Sequence, residues 1–455
     1  MSHVELDSPI HWCDPIVDLD WPPRLRATMA NSVFPKLPGF RDFPPEEFAL
    51  RTHICEAWRR VAHRYGFLEY DGPPLEPIEL YVQKSGDEIV NQLYSFTDKG
   101  DREVSLRPEM TPSLARILGA RSRGMSKPIR WFSLPQLFRY ERQQRGRLKE
   151  HFQWNVDLIG EAGLAADAEI LAVAIDGLRE LGLTSEDFVA RVSDRGLVQI
   201  LLEVLGVPEG AVAGTLAIAD KLGRTPEAAV REKLVTDVGF SDDLAKQVLA
   251  VFLAPSLEDI DAQLLSDSRV SERITSFREF VARLGTMGLG EYVEVDLKIV
   301  RGLAYYTGVV FELFDRKGEL RAICGGGRYD RLLELVGGEP LPATGFGMGD
   351  VVLGELLADR GLVPTFQREL DYFVVVVSAQ ERPEALRIAQ ALRESGKSVA
   401  YSLRNQSLLK QMKVAGREGA SVVLIIGPGE LERGCFIARD MTSGEEREVV
   451  LSDLV

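Results

Sequence analysis

From Phe152 to Leu158 the chain alternates without a slip: Phe152, Trp154, Val156 and Leu158 point one way, and Gln153, Asn155 and Asp157 point the other. A period of two marks a β-strand, whose successive side chains leave opposite faces of a sheet. One face is apolar and the other carries amides and a carboxylate. The stretch therefore predicts a sheet with a buried side and a polar side able to line a ligand pocket.

Upstream lies FRYERQQRGRLK, where Arg139 and Glu141 have strand spacing and the following loop carries Arg142, Arg145, Arg147 and Lys149. Guanidinium groups fork onto phosphate oxygens, so the hairpin reads as a phosphate clamp. A solvated basic loop fits the same residues. In KIVRGLAYYTGVVF, Arg301 stands at a strand end beside Gly302, ahead of Tyr305 and Tyr306. Those tyrosines face either a ligand or the core of a hairpin. CGGGRYD, from Cys324 to Asp330, has successive glycines that permit a sharp turn or a close backbone approach to a ligand. RPEMT places Glu109 beside Thr111, a pair able to hold an ammonium group, although a glutamate after proline is as readily plain surface. Neither CGGGRYD nor GFGMG (345–349) has the G-x-G-x-x-G spacing, and no Walker A sequence occurs. A phosphate binder in this chain must use arginines on antiparallel strands.

The periodicity around these stretches changes in blocks. Residues 1–34, rich in Pro and Asp, read as an N-terminal arm. After Pro44 a helix is expected, with Leu50, Ile54, Trp58, Val61 and Tyr65 on one stripe and Gly66 ending it. Another carries Ile170 or Leu171, Ala174, Leu178 and Leu181, closed by Gly182. Residues 196–285 are helical almost throughout and read as an insertion that splits a strand-rich domain into 35–195 and 286–361. Residues 370–455 differ: the apolar runs Phe373–Val377 and Val422–Ile426 alternate with helical stretches, which predicts parallel pairs in a sheet covered on both faces.

A length of 455 residues exceeds one ordinary core. No apolar run approaches the roughly 18 residues a membrane span needs. The acidic N-terminus (Glu5, Asp7, Asp14, Asp18, Asp20) resembles neither a secretory signal nor a transit peptide, so a cytoplasmic location is expected. Cys13, Cys55, Cys324 and Cys435 form no C-x-x-C pair, and the five histidines are dispersed, so no metal site is expected. The net charge of −15 weakens non-specific RNA binding, yet the 85 residues from Asp371 hold 11 Lys/Arg against 12 Asp/Glu. Local distribution decides whether a docked RNA is tolerated.

Taken in order, PGFRDFPPEE, LRPEMT, FRYERQQRGR, VRGLAYYTG and CGGGRYD resemble the class II aminoacyl-tRNA synthetases and, within them, the histidyl-tRNA synthetases. The resemblance covers Phe34 to the C-terminus. It implies an α+β fold: an antiparallel catalytic sheet with helices, a helical insertion gripping the tRNA acceptor stem, and a C-terminal α/β anticodon-binding domain. It implies a histidine–tRNA ligase that makes histidyl-adenylate from ATP and histidine and passes histidine to tRNA(His). Mg²⁺ would accompany ATP, and a homodimer would form around the segment of Pro73. By position, Glu109, Thr111 and Gln153 match the groups holding the α-amino end of histidine, and Asp157, Tyr306 and Tyr329 those reading its imidazole. Arg139 and Arg301 match the arginines at the reacting carboxylate and α-phosphate. Glu141 and Arg147 match the loop at the adenine and γ-phosphate.

Three positions depart from the family pattern. Val352 stands where a third-motif arginine is usual, which leaves Arg321 or Arg328 for the γ-phosphate. Ala304 replaces an Asp, and Asp157 a Glu. The alternative reading is a synthetase-like regulatory subunit of ATP phosphoribosyltransferase, a paralogue that stops before an anticodon-binding module.

Overall fold

The computed structural model describes residues 34–82, 91–141, 144–223, 225–300, 306–331, 334, 340–366 and 369–454. The chain divides after Pro364 into two compact units. Among the described residues the first unit holds β1 (Leu68–Glu69), β2 (Leu75–Pro77), β3 (Tyr94–Thr97), β4 (Glu103–Leu106), β5 (Ile129–Ser133) and β6 (Gln136–Phe138). It continues with β7 (Glu150–Ile159), β8 (Phe188–Asp194), β9 (Val293–Val295), β10 (Val309–Asp315), β11 (Cys324–Arg328) and β12 (Ala343–Gly349).

The main sheet runs β1-β5-β7-β12-β11-β10-β8-β9, with β6 on one end of β7, while β2, β4 and β3 make a small side sheet. From β5 to β8 every neighbour is antiparallel. The edges differ from the expected antiparallel sheet: β1–β5 and β8–β9 are parallel. Parallel neighbours need a long crossover, and the chain supplies one at each edge. Between β8 and β9 that crossover is the helical block from Arg195–Val204 to Ser268–Thr286.

The helix expected after Pro44 spans Pro45–Arg64 and buries Ile54, Ala57, Trp58, Val61 and Ala62. The next predicted one spans Leu164–Arg179 and is buried nearly all round. It lies on the apolar face of the sheet beneath both the first helix and Ser268–Thr286. The sheet is approached closely there, for a Cβ on Gly177 would come within 3.2 Å of Trp154 Cη2. Trp154, Val156, Leu158, Phe346, Met348 and Phe311 form the floor of this core. Burial of the apolar stripe, at about 25 cal/mol per Å², fixes which way β7 faces, and so leaves its polar residues on the other side.

The second unit holds β13 (Leu370–Val376), β14 (Val399–Tyr401), β15 (Ala420–Ile426), β16 (Phe436–Asp440) and β17 (Glu446–Val449), in the order β14-β13-β15-β16-β17. The first three are parallel, as the apolar runs predict; β16 and β17 add an antiparallel extension. One face is covered through Ile388 and Leu392, the other through Leu408, Met412 and Ala415.

Candidate active site

Register across the sheet builds the site. Gly345, Gly347 and Gly349 of β12 pair with Asp157, Asn155 and Gln153 of β7. On the far side Gly345 and Gly347 pair with Gly327 and Gly325 of β11, which pair with Val310 and Glu312 of β10. Directly opposed residues share a face, so all of these lie on the polar face. A strip of glycines thus runs between the β7 polar row and Glu312. A Cβ at Gly347 would approach the Gln153 amide to 2.8 Å, and one at Gly345 the Val156 carbonyl oxygen to 2.6 Å. Only glycine leaves open space above the strands here.

Asp157 is 4% exposed, and burial raises its carboxyl from the ordinary 3.8 to about 7. Tyr329 Oη donates to Asp157 Oδ1, which opposes that rise. The Tyr306 ring lies 6.4 Å from the Tyr329 ring, and burial together with the fields of Glu109 and Asp157 keeps its phenol protonated. Thr307 Oγ1 donates to Asp330 at 2.9 Å, tying the YYTG stretch to GGGRYD. Asp157, Tyr329 and Tyr306 therefore converge on one spot.

Glu109 is buried, not surface, and Thr111 opens the helix Thr111–Arg121. Arg107 braces this turn through Asp71 at 2.7 Å and the carbonyls of Gly72 and Gln136. Arg139 Nε donates to the Pro108 carbonyl at 2.9 Å, which ties the RPEMT turn to the arginine hairpin. Arg139 and Glu141 do not share a strand face as expected. β6 ends at Phe138, and the chain turns as the Glu141 amide donates back to the Arg139 carbonyl. The turn brings Glu141 onto Arg147, with which it forms an ion pair. Arg301, with Ala304 and Tyr305, lies outside the described residues, as does Arg142.

Arg328 is not available for a phosphate. It pairs with Thr344, which pairs with Leu158, so it falls on the apolar face. There its guanidinium is held by Asp167 at 2.8 Å and by the Glu161 and Gly163 carbonyls. Arg321 remains beside the hairpin, bonded to Gln144.

Sequence reasoning missed two side chains on the polar face. His151 precedes Gln153 by two and shares its side of β7; burial, then Arg139, Arg41 and Arg147, lower it to about 3 and keep it neutral. The alternation already signalled it. Glu312 reaches the face only through pairing with Gly325, which nothing local announces. A third residue, Arg41, acts from behind: it binds Glu150 at 2.7 Å and Asp350 at 2.9 Å, while Asp350 accepts the Phe152 amide at 2.9 Å. This network fixes the start of β7 against the helix Asp350–Asp359.

An antiparallel sheet with carboxyl groups on a glycine-floored face and an arginine hairpin beside it, joined in one chain to a small α/β unit, is the build of a class II aminoacyl-tRNA synthetase. The histidyl-tRNA synthetase family model matches residues 39–349, and an anticodon binding domain model matches residues 371–455. The chain is 45% identical to the histidine–tRNA ligase of Opitutus terrae, over 92% of this chain and 96% of that one. It is 40% identical to the chloroplastic/mitochondrial histidine–tRNA ligase of Arabidopsis thaliana, over 91% and 85%. The crystal structure of histidyl-tRNA synthetase from Nostoc sp. superposes with a TM-score of 0.76 at 25% identity, covering 92% and 98%. The chain belongs to the histidyl-tRNA synthetase family.

Proposed function

We propose that this chain activates L-histidine with ATP and transfers it to tRNA(His). The observation that carries the reading is the Asp157–Tyr329–Tyr306 group on the polar face, beside a hairpin of arginines. A carboxyl and two phenols suit a ring bearing one donor and one acceptor nitrogen. An apolar side chain in that place would leave them unpaired, a discrimination worth on the order of 10⁴-fold.

In this reading Glu109, Thr111 and Gln153 hold the histidine ammonium group. Its carboxylate attacks the α-phosphorus in line, giving the adenylate and pyrophosphate. Arg139 and Arg301 are assigned to the carboxylate and α-phosphate, where negative charge spreads over oxygens, and Glu141 and Arg147 to the rest of ATP. The terminal hydroxyl of the tRNA then attacks the adenylate carbonyl and releases AMP. No protein nucleophile is required, so positioning and fixed cations supply the rate. Mg²⁺ is held mainly by substrate phosphates with one or two carboxylates, and Glu312 on the polar face fits as such a ligand. It would offset phosphate charge.

Residues 35–195 and 286–361 form the catalytic domain, 196–285 the acceptor-stem insertion and 370–455 the anticodon-binding domain. In this reading the protein works as a cytoplasmic homodimer. Separately, no described helix is long and apolar enough to cross a membrane. The anticodon-binding match at 371–455 favours the ligase over the regulatory paralogue. Histidine-dependent exchange of labelled pyrophosphate into ATP is the test. Exchange is expected with the purified protein, and histidine binding without exchange would instead support the regulatory role.

A further inference from the structure

The arginine hairpin closes tightly: Gln144 and Arg147 exchange backbone bonds of 3.2 and 3.0 Å around Gly146 at φ +70°. Its tip rests on the helix Asp350–Asp359. The Gly146 amide donates to Glu355 Oε1 at 3.1 Å, and Arg145 Nε donates to Glu355 Oε2 at 3.3 Å. A Cβ on Gly146 would stand 3.1 Å from Val352 Cγ2. Val352 and Glu355, three residues apart, share one helix face. Glu319, Leu320 and Arg321 close the opposite wall, leaving a cavity of about 290 Å³.

Two facts combine here. A loop carrying several cations repels itself, and holding it in one shape costs backbone entropy at every residue. The helix residue beneath its tip is a valine, compact enough for the backbone to sit on it. An arginine at position 352 would occupy the space the tip takes. Glu355, one turn further on, supplies both an acceptor for the tip amide and a counter-charge for Arg145.

We propose that Glu355 is a positioning residue for the nucleotide, latching the Gln144–Arg147 hairpin closed over Val352 so that Arg147 is presented to ATP without a third-motif arginine. The proposal rests on the synthetase reading for its substrate and on the hairpin geometry for its mechanism. Glu355 touches no reacting atom; it acts through Gly146 and Arg145.

The test compares wild type, Glu355→Ala and Glu355→Gln in histidine-dependent pyrophosphate exchange, with limited trypsin digestion at Arg145 and Arg147 run alongside. Glu355→Ala should raise KM for ATP about tenfold, through the loss of two hydrogen bonds to a carboxylate, one from a backbone amide and one from a guanidinium. KM for histidine, kcat and thermal midpoint should stay near wild type. Glu355→Gln keeps an acceptor for the Gly146 amide and should recover part of the ATP affinity. Cleavage in the hairpin should accelerate in Glu355→Ala. An inert wild type would sink the synthetase reading alone, since the digestion still judges the latch. Unchanged cleavage overturns the latch, and so does a uniform fall in kcat and both affinities with a lowered midpoint.

Discussion

Replacing Asp157 by Asn should make the first unit more stable, and increasingly so as pH rises. Asn keeps an acceptor for Tyr329 Oη and removes the ionisation. The Asp157 carboxyl titrates near 3.8 when exposed and about 7 in the fold. Between those values the unfolded chain has released a proton that the folded chain retains. Raising pH therefore pulls the equilibrium toward unfolding, by up to about 1.4 kcal/mol per pH unit. The penalty is absent below the unfolded pKa and levels off above the folded one. From about pH 5.5 to about pH 8 it grows by roughly 2 kcal/mol. Urea unfolding of wild type and Asp157→Asn at both pH values measures it, and a constant change of solvation between the two side chains cancels in the difference. All five tryptophans precede residue 155, so their fluorescence reports the first unit alone. The variant's advantage should widen by about 2 kcal/mol, while its KM for histidine rises roughly tenfold, because an amide replaces the carboxyl that pairs with the ring. An advantage that stays flat between the two pH values would refute the argument that Asp157 is buried and protonated near neutrality.

Other expectations follow from the same geometry. Gly325→Ala meets nothing closer than 3.9 Å, so the thermal midpoint should hold, yet the methyl rises into the open face and should weaken exchange at least about tenfold; unchanged exchange would remove Gly325 from the ligand floor. Arg328→Ala leaves Asp167 buried without its partner and should cost about 3–5 kcal/mol in urea unfolding; a fully stable variant with weakened ATP binding would return Arg328 to the phosphate. Arg301→Ala should abolish adenylate formation without lowering the thermal midpoint, and normal exchange would remove that role. Deleting the chain from Asp371 should leave most pyrophosphate exchange and abolish charging of tRNA, because the second unit has its own core; equal loss of both would tie that unit to catalysis.

What could be read from the sequence, and what could not, divides along a physical line. Periodicity is local, so the helices Pro45–Arg64 and Leu164–Arg179 and the parallel strands of the second unit could be read directly. The two faces of β7 were legible for the same reason. Pairing is not local. Nothing in VVFELF says that Glu312 will lie across from Gly325, and β16 and the edge strand β17 are short and charged, with no apolar run to announce them. The Glu141 turn escaped notice because Arg139-x-Glu141 has strand spacing while hydrogen bonds to distant carbonyls bend the chain there.

Parity decides the remaining case, the grip on the terminal phosphate. Once Gly327 faces the open side of β11, Arg328 must face the helices, whatever its charge invites, and Asp167 is placed to receive it. Arg321 precedes the strand and escapes that constraint, which is why it meets Gln144. With valine at 352, the cations near the tip of the hairpin among the described residues are Arg145, Arg147 and Arg321, two of them on a loop that Glu355 holds. A grip on the terminal phosphate built this way depends on loop closure rather than on a side chain fixed to the helix. Its strength should therefore track the hairpin's order, the quantity that trypsin cleavage at Arg145 and Arg147 measures.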